Sequence, residues 1–95
     1  MKRLEIARDA EGDLREIWLY SQERYGTQQA NHYLHSIRTR MDGLLSGVTV
    51  SRPAFELRPG LRRALAGQHV VFFREDAETV AVVRVLHQRM DVGRV

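Results

Sequence analysis

The residues best suited to chemistry in this 95-residue chain are its arginines, which supply fourteen of the fifteen basic side chains. Between Arg52 and Arg74 there are five arginines, and Glu56 alone opposes them. A guanidinium offers a planar fork of donors that fits phosphate or carboxylate in two-point fashion, so this stretch points toward phosphates or an acidic protein surface. A GC-rich coding sequence also favours arginine, and that bland account competes with the functional one. The asymmetry lies in the second half: residues 1–50 carry seven basic and seven acidic side chains, whereas residues 51–95 carry eight and five. The absence of cysteine removes disulfides, thiolate catalysis and cysteine-ligated zinc together. His32 and His35 stand three apart on a helical stretch, but a metal site needs three or four convergent ligands and no third candidate accompanies them. No metal and no cofactor is therefore expected.

Those side chains need elements to position them, and the length allows only one domain, residues 1–95. With 43% hydrophobic and 28% charged residues, the composition is that of a folded soluble domain. No run approaches the ~18 apolar residues of a membrane span, and the first thirty residues lack a signal-peptide core, so a cytoplasmic location without membrane contact is expected. Arg3-Leu4-Glu5-Ile6-Ala7-Arg8 alternates like a half-buried strand. Asp9, Glu11 and Asp13 then bring negative charge to a helix start, and Ala10, Leu14, Ile17, Trp18, Ser21 and Tyr25 follow at helical spacing up to Gly26. Thr27 is placed to cap a second helix, whose stripe of Ala30, Tyr33, Leu34, Ile37, Met41, Leu44 and Leu45 ends at Gly47. So short a link makes the two helices an antiparallel hairpin.

Beyond Gly47 the period changes. Pro59-Gly60 suits the centre of a type II turn, and three strands are expected at Leu61–Ala66, His69–Glu75 and Glu78–His87, joined by hairpins at Gly67 and Asp76-Ala77. The fold class is thus α+β: an N-terminal strand, an antiparallel two-helix hairpin and a three-stranded antiparallel meander. Val70–Phe73 and Val80–Val83 are apolar on both faces, while two helices with one stripe each cover a single face. Either the tail beyond His87 or a partner chain should cover the other. Arg84 interrupts a strand otherwise suited to burial and needs an acidic partner, for which Glu56 and Asp91 are the candidates.

Three motif groups carry a resemblance. Asp13-Leu14-Arg15-Glu16-Ile17-Trp18-Leu19-Tyr20 with Tyr25-Gly26, Gln29-Ala30 and Tyr33-Leu34 resembles the helical hairpin of ParE-type toxins. Glu56-Leu57-Arg58-Pro59-Gly60-Leu61-Arg62, then Gly67 and His69–Arg74, then Val83–Asp91, follow that family's C-terminal half in order. The resemblance spans nearly the whole chain and implies the RelE/ParE superfamily fold in the toxin of a type II toxin–antitoxin pair. It also implies two chemistries. RelE-like relatives cut messenger RNA on the ribosome, which needs a base, an acid and cations around the phosphorane; here His87, Arg63, Arg74 and Arg84 are the available groups. No tyrosine lies near the chain end, since Tyr20, Tyr25 and Tyr33 all fall on the helices. ParE-like relatives bind DNA gyrase instead.

The expectation is accordingly a non-enzymatic toxin that inhibits gyrase by protein contact, touching nucleic acid only through that complex, and is neutralised by a ParD-like antitoxin. The alternatives are a ribosome-dependent endoribonuclease, or a degenerate toxin that only binds its antitoxin. Arg58, Arg62, Arg63, His87, Arg89 and Arg94 are the expected target-binding residues. Trp18, Leu19, Tyr20, Tyr33 and Phe73 are the expected antitoxin contacts, although Trp18 in its stripe also reads as a core anchor.

Overall fold

The computed structural model of the protein describes residues 2–90, 93 and 95. In chain order the elements are β1 (Arg3–Ile6), α1 (Arg8–Tyr25), α2 (Thr27–Ser46), β2 (Arg52–Pro53), β3 (Arg62–Ala66), β4 (His69–Glu75) and β5 (Thr79–His87). The strands form one sheet in the order β1-β5-β4-β3-β2, with β1 parallel to β5 and the remaining pairs antiparallel. The expected α+β class, the N-terminal strand, the hairpin and the meander are all present. The two-residue β2 is an addition, and the strands after the turns begin one residue late, at Arg62 and Thr79. At the second of these turns Asp76 Oδ1 accepts the N–H groups of Glu78 and Thr79, both at 2.8 Å, which holds Glu78 in the turn. No helix among the described residues is long and apolar enough to cross a membrane.

The link between the helices is Gly26, whose φ of +91° is readily adopted only by glycine. Its N–H bonds the carbonyl of Gln22, and its own carbonyl receives the N–H of Ala30. Gly26 therefore occupies the N-cap position expected for Thr27, and no side chain caps α2. With one connecting residue, the non-helical position before α2 is Gly26 itself. Past Gly47, Thr49 folds back onto α2: its N–H bonds the Gly43 carbonyl at 3.0 Å and its hydroxyl the Arg40 carbonyl at 2.7 Å. Thr49 is buried there, in space that a side chain at position 43 would fill.

Ile17, Ile37, Met41 and Leu44 of the helices pack against Ala64, Ala66, Val71, Phe73, Val80, Val82 and Val85 of the sheet. The opposite face holds a second cluster, Ala54, Leu61, Phe72 and Leu86, flanked by Leu57, Val70, Val83 and Val95. Most of its cover comes from the loop between β2 and β3, which neither of the expected alternatives supplied; Val95 is the tail's contribution. The loop is closed by Ala54 N–H on the Leu61 carbonyl, and Leu61 N–H returns to Arg58 across Pro59-Gly60, where Gly60 has φ +76°. That is the expected type II turn geometry.

A register shift where β4 passes from Phe72 to Phe73 sets Phe72 opposite Arg84 but Phe73 opposite Val82. The extra residue on β5 is a bulge, which lets Val82 and Val85 face the helices while Val83 and Leu86 face the second cluster. Arg84, beside the bulge, reaches α1. The Arg84 guanidinium donates from Nε and Nη2 to the two oxygens of Asp13, each at 2.8 Å, and Asp13 Oδ2 accepts the Val85 N–H at 2.9 Å. Both side chains are largely removed from solvent, and hydrogen bonding to Asp13 raises the Arg84 pKa above its ordinary value. Among the described residues the acidic partner of Arg84 is Asp13; Glu56 pairs with Arg63, and the Asp91 candidate lies outside the described residues. Asp13, read from sequence as a helix-start charge, is a cross-chain anchor.

Asp13→Asn keeps an acceptor for Val85 but takes the Asp13 charge away from the guanidinium. Breaking one side of a buried pair costs ~3 kcal/mol. In a domain of this size each kcal/mol lowers the melting temperature by ~4–8 °C. Thermal denaturation should show a loss of at least ten degrees or so, and replacing both partners, as Asp13→Leu with Arg84→Met, should recover much of it.

Candidate functional site

The ends of β4 and β5 farthest from the Asp76 turn carry most of the chain's unusual polar chemistry. β4 starts at His69 and β5 ends at His87, and the ladder sets these two opposite each other. Their rings meet edge to face with centroids 5.3 Å apart. From α2, the Tyr33 hydroxyl lies 2.7 Å from His69 Nδ1 and accepts the Gln68 N–H at 2.9 Å. With that backbone donor in place, the phenol proton is directed at Nδ1, which leaves the neutral His69 ring with its proton on Nε2. The Tyr33 ring lies over Gly67, at φ +62°, so closely that no side chain fits there. Gln88 completes the clamp on this turn, its N–H on the Gln68 carbonyl and its amide on the Gln68 side chain. Burial, and then the neighbouring His87, lower the His69 pKa to about 4. Burial also raises that of Tyr33, against the opposing pull of the Gln68 N–H.

Clefts open on either side of this histidine pair. One, of about 630 Å³, lies between α1 and the sheet and is lined by Glu16, Tyr20, Tyr25, Tyr33, His69 and Arg84 among others. The other, of about 590 Å³, follows the β3 edge and is lined by Arg40, Arg52, Arg63, Leu65 and Val70 among others. His87 and Met90 line both.

The residues expected to form a nuclease are not gathered at one point. Arg63 shares the β3-edge cleft with His87 and holds Glu56 at 2.7 Å. Arg84 shares the α1 cleft with His87 and holds Asp13. Arg74 lines neither, and donates to the Pro59 carbonyl at 2.6 Å. The expected target-binding set is likewise spread out. Arg62 and Arg63 are neighbours on a strand and so leave opposite faces of the sheet, Arg62 donating to Ser51 Oγ from Nε and Nη2. Arg58 is exposed in its turn, Arg89 is exposed with its N–H on His87 Nδ1, and Arg94 lies outside the described residues.

Of the expected antitoxin contacts, Leu19 and Tyr20 are 51% and 58% exposed on α1. Trp18 is half-buried and donates its indole N–H to Asn31 Oδ1 at 2.8 Å, so it ties the two helices together and is not the core anchor its spacing implied. Tyr33 is half-buried in the clamp on Gln68 and His69. Phe73 is fully buried between helices and sheet and cannot touch a partner, because β4 alternates regularly and turns Val71 and Phe73 toward the helices. His32 and His35 are both exposed, and among the described residues no three His, Asp or Glu side chains cluster as metal ligands would. Sequence reasoning missed His69, Arg40 and the 65% exposed Tyr25. The signal for His69 was the tight turn at Gly67, whose register sets His69 across from His87.

The His69 environment sets a pH dependence. Folded His69 stays neutral down to about pH 4, whereas in the unfolded chain it takes up a proton near its ordinary 6.5. Between those values the unfolded state binds more protons, so stability falls as pH drops from about 6.5 and levels off below about 4. Melting temperatures measured across this window should decline for the wild type and decline less steeply for His69→Gln, which keeps an acceptor for Tyr33 without a titrating ring.

Residues 4–92 match the family described as ParE toxin of type II toxin-antitoxin system, parDE. The chain is 43% identical over 86 residues to Toxin ParE1 of Mycobacterium tuberculosis, an overlap covering 90% of this chain and 88% of the relative. To Toxin ParE1 of Caulobacter vibrioides it is 37% identical over 91 residues, covering 96% and 94%. Among solved structures, a chain of the chromosomal ParDE system from P. aeruginosa superposes with a TM-score of 0.79 at 21% identity, covering 92% of this chain and 96% of that one. E. coli YafQ superposes with a TM-score of 0.63 at 14% identity, covering 93% and 94%. Those two likenesses concern the fold. With a family match that takes in every element from α1 to β5, and relatives aligned over nearly their full lengths, the chain belongs to the ParE toxin family of type II toxin–antitoxin systems.

Proposed function

We propose that this ParE-family toxin acts in the cytoplasm by binding DNA gyrase, blocking resealing of cleaved DNA by protein contact, and that a ParD-like antitoxin holds it inactive. The observation that carries the non-enzymatic reading is the dispersal of the groups an RNA-cleaving site would need. His87 lines one cleft with Arg63 and the other with Arg84, and each of these two arginines already holds a carboxylate. A transition state for phosphodiester cleavage requires cations and an acid–base pair converging on one phosphorus. An exposed basic surface needs no such convergence to bind a protein.

Antitoxin binding is supported by the helical hairpin, where Leu19 and Tyr20 stand exposed next to the half-buried Trp18. The structural likeness is to a chain from a ParDE system, so a toxin of this fold occurs together with its antitoxin. Exposed apolar residues grouped on one helix are a ready site for an antitoxin segment that folds on binding.

Supercoiling by purified gyrase should fall on addition of the protein, with linear DNA accumulating. His87→Gln should leave that inhibition within a few-fold, because loss of a general acid or base typically costs ~10²–10⁴ in rate. If the protein instead cut ribosome-bound messenger RNA in a translating extract, and His87→Gln abolished the cutting, the endoribonuclease reading would replace this one. Folded protein that did neither, yet bound its antitoxin, would mark a toxin reduced to antitoxin binding.

A further inference from the structure

The two clefts beside His87 differ in charge. Three guanidinium groups, Arg40, Arg52 and Arg63, line the one at the β3 edge, whereas the charged side chains of the α1 cleft, histidines aside, are Asp13, Glu16 and Arg84. Arg84 gives two hydrogen bonds to Asp13 and also lies in the field of Asp9 and Glu16, so acidic charge is in excess on this side. Glu16 makes no ion pair or hydrogen bond among the described residues. Its neighbours three and four positions away on α1 are Gly12, Asp13, Leu19 and Tyr20, none of them basic.

The helix supplies the rest of this wall in two adjacent rows: Asp13, Ile17, Ser21 and Tyr25 stand four apart, and Glu16 and Tyr20 run beside them. Tyr20 and Tyr25 are largely exposed, so neither ring is committed to the core. Ser21 lines the cleft at 8% exposure, and its hydroxyl makes no hydrogen bond among the described residues. A polar group so enclosed gains from any partner the cleft admits. Ile17 and Val85 add an apolar floor. One guanidinium already uses this wall from outside: Arg24, which does not line the cleft, sets its Cζ 5.3 Å from the centre of the Tyr20 ring.

We propose that the α1 cleft is a binding site for a guanidinium group on an aliphatic stem, with Glu16 as counter-charge, the rings of Tyr20 and Tyr25 as stacking surfaces and the Ser21 hydroxyl as a further acceptor. A flat, weakly hydrated cation suits such rings, and its fork of donors matches a carboxylate in two-point fashion. The stem lies on the floor of Ile17 and Val85. An ammonium group fits less well, being compact and strongly hydrated. An anion would meet Glu16 with no free cation opposite, because Arg84 is held by Asp13. Tyr33 keeps the far wall in place, since its hydroxyl is engaged by the Gln68 N–H and by His69. The inference does not depend on gyrase being the target.

The test titrates the isotopically labelled full chain with acetyl-arginine amide and follows backbone amide shifts by NMR. Citrulline and lysine counterparts and an alanine peptide with one central arginine are the comparison probes. The arginine compound should shift the amides of Glu16, Ser21 and Tyr25, and citrulline, which keeps the shape without the charge, should bind ~10-fold more weakly or worse. Glu16→Gln should cost about the same, and Tyr20→Leu ~2–5-fold, with melting temperatures unchanged because both positions are exposed. Equal affinity for the amide and the peptide would support a free small molecule as the ligand, and a peptide preference of ~10-fold a partner's side chain; both keep the guanidinium site. The proposal fails if the arginine compound does not bind, if citrulline or lysine binds as tightly, if Glu16→Gln changes nothing, or if the shifts gather at the β3-edge cleft instead.

Discussion

A carboxylate on the first helix stands where the sheet lacks a strand. β1 ends at Ile6, opposite Val82, so the rest of β5 has an open side. Asp13 fills the gap by accepting the Val85 N–H and neutralising the Arg84 guanidinium in the same contact. This joins α1 to β5 at one defined height, and with it fixes the separation between Tyr20 and Tyr25 on the helix and His87 on the strand, the two walls of the larger cleft. A buried ion pair is often no more stabilising than packed hydrocarbon of the same volume. Its contribution here is registration. Arg84 follows Val82 onto the helix face, and the bulge beside it turns Val85 the same way, so ion pair and bulge adjoin on β5.

Seen from that anchor, the histidine end of the sheet is held from three sides. Tyr33 reaches it from α2, Gln88 from beyond β5, and the rings of His69 and His87 bear on each other across the ladder. His69 is committed to this clamp by burial. His87 borders both clefts, and of the arginines that line them with it, Arg63 in one and Arg84 in the other each hold a carboxylate. Such an end presents shaped surfaces on two sides.

Elements with a period were legible in the sequence. The alternation about Leu4 and Ile6, the stripes through Ile17 and Ile37, and the glycines at 26, 47 and 67 placed the strand, the helices and their stops within a residue or so. β2 was not legible, because two residues carry no period and Pro53 argues against a strand. Phe73 was misjudged because a strand apolar on both faces does not declare which face meets the helices, and here Val71 and Phe73 do. Asp13, a partner of Arg84, lies 71 positions earlier in the chain, and the packing of α1 on β5 brings the two together. The cover of the second cluster was hidden for a related reason: Leu57 and Leu61 belong to a loop whose inward residues follow a turn and not a repeat.

The pairing of the first strand with the last also governs the order in which the molecule is completed. The helical hairpin is local and can form as soon as its residues leave the ribosome, but β1 must wait for Thr79–Val82, more than seventy residues later, before it gains a neighbour. Until then the apolar stripe of the hairpin has no sheet to cover it. During translation the newest strand, β5, which lies between β1 and β4, is therefore the one on which closure depends. A nascent toxin stays unfinished, with its hairpin accessible, for most of its synthesis, which gives an antidote already present in the cell its first opportunity to bind before the toxin can act.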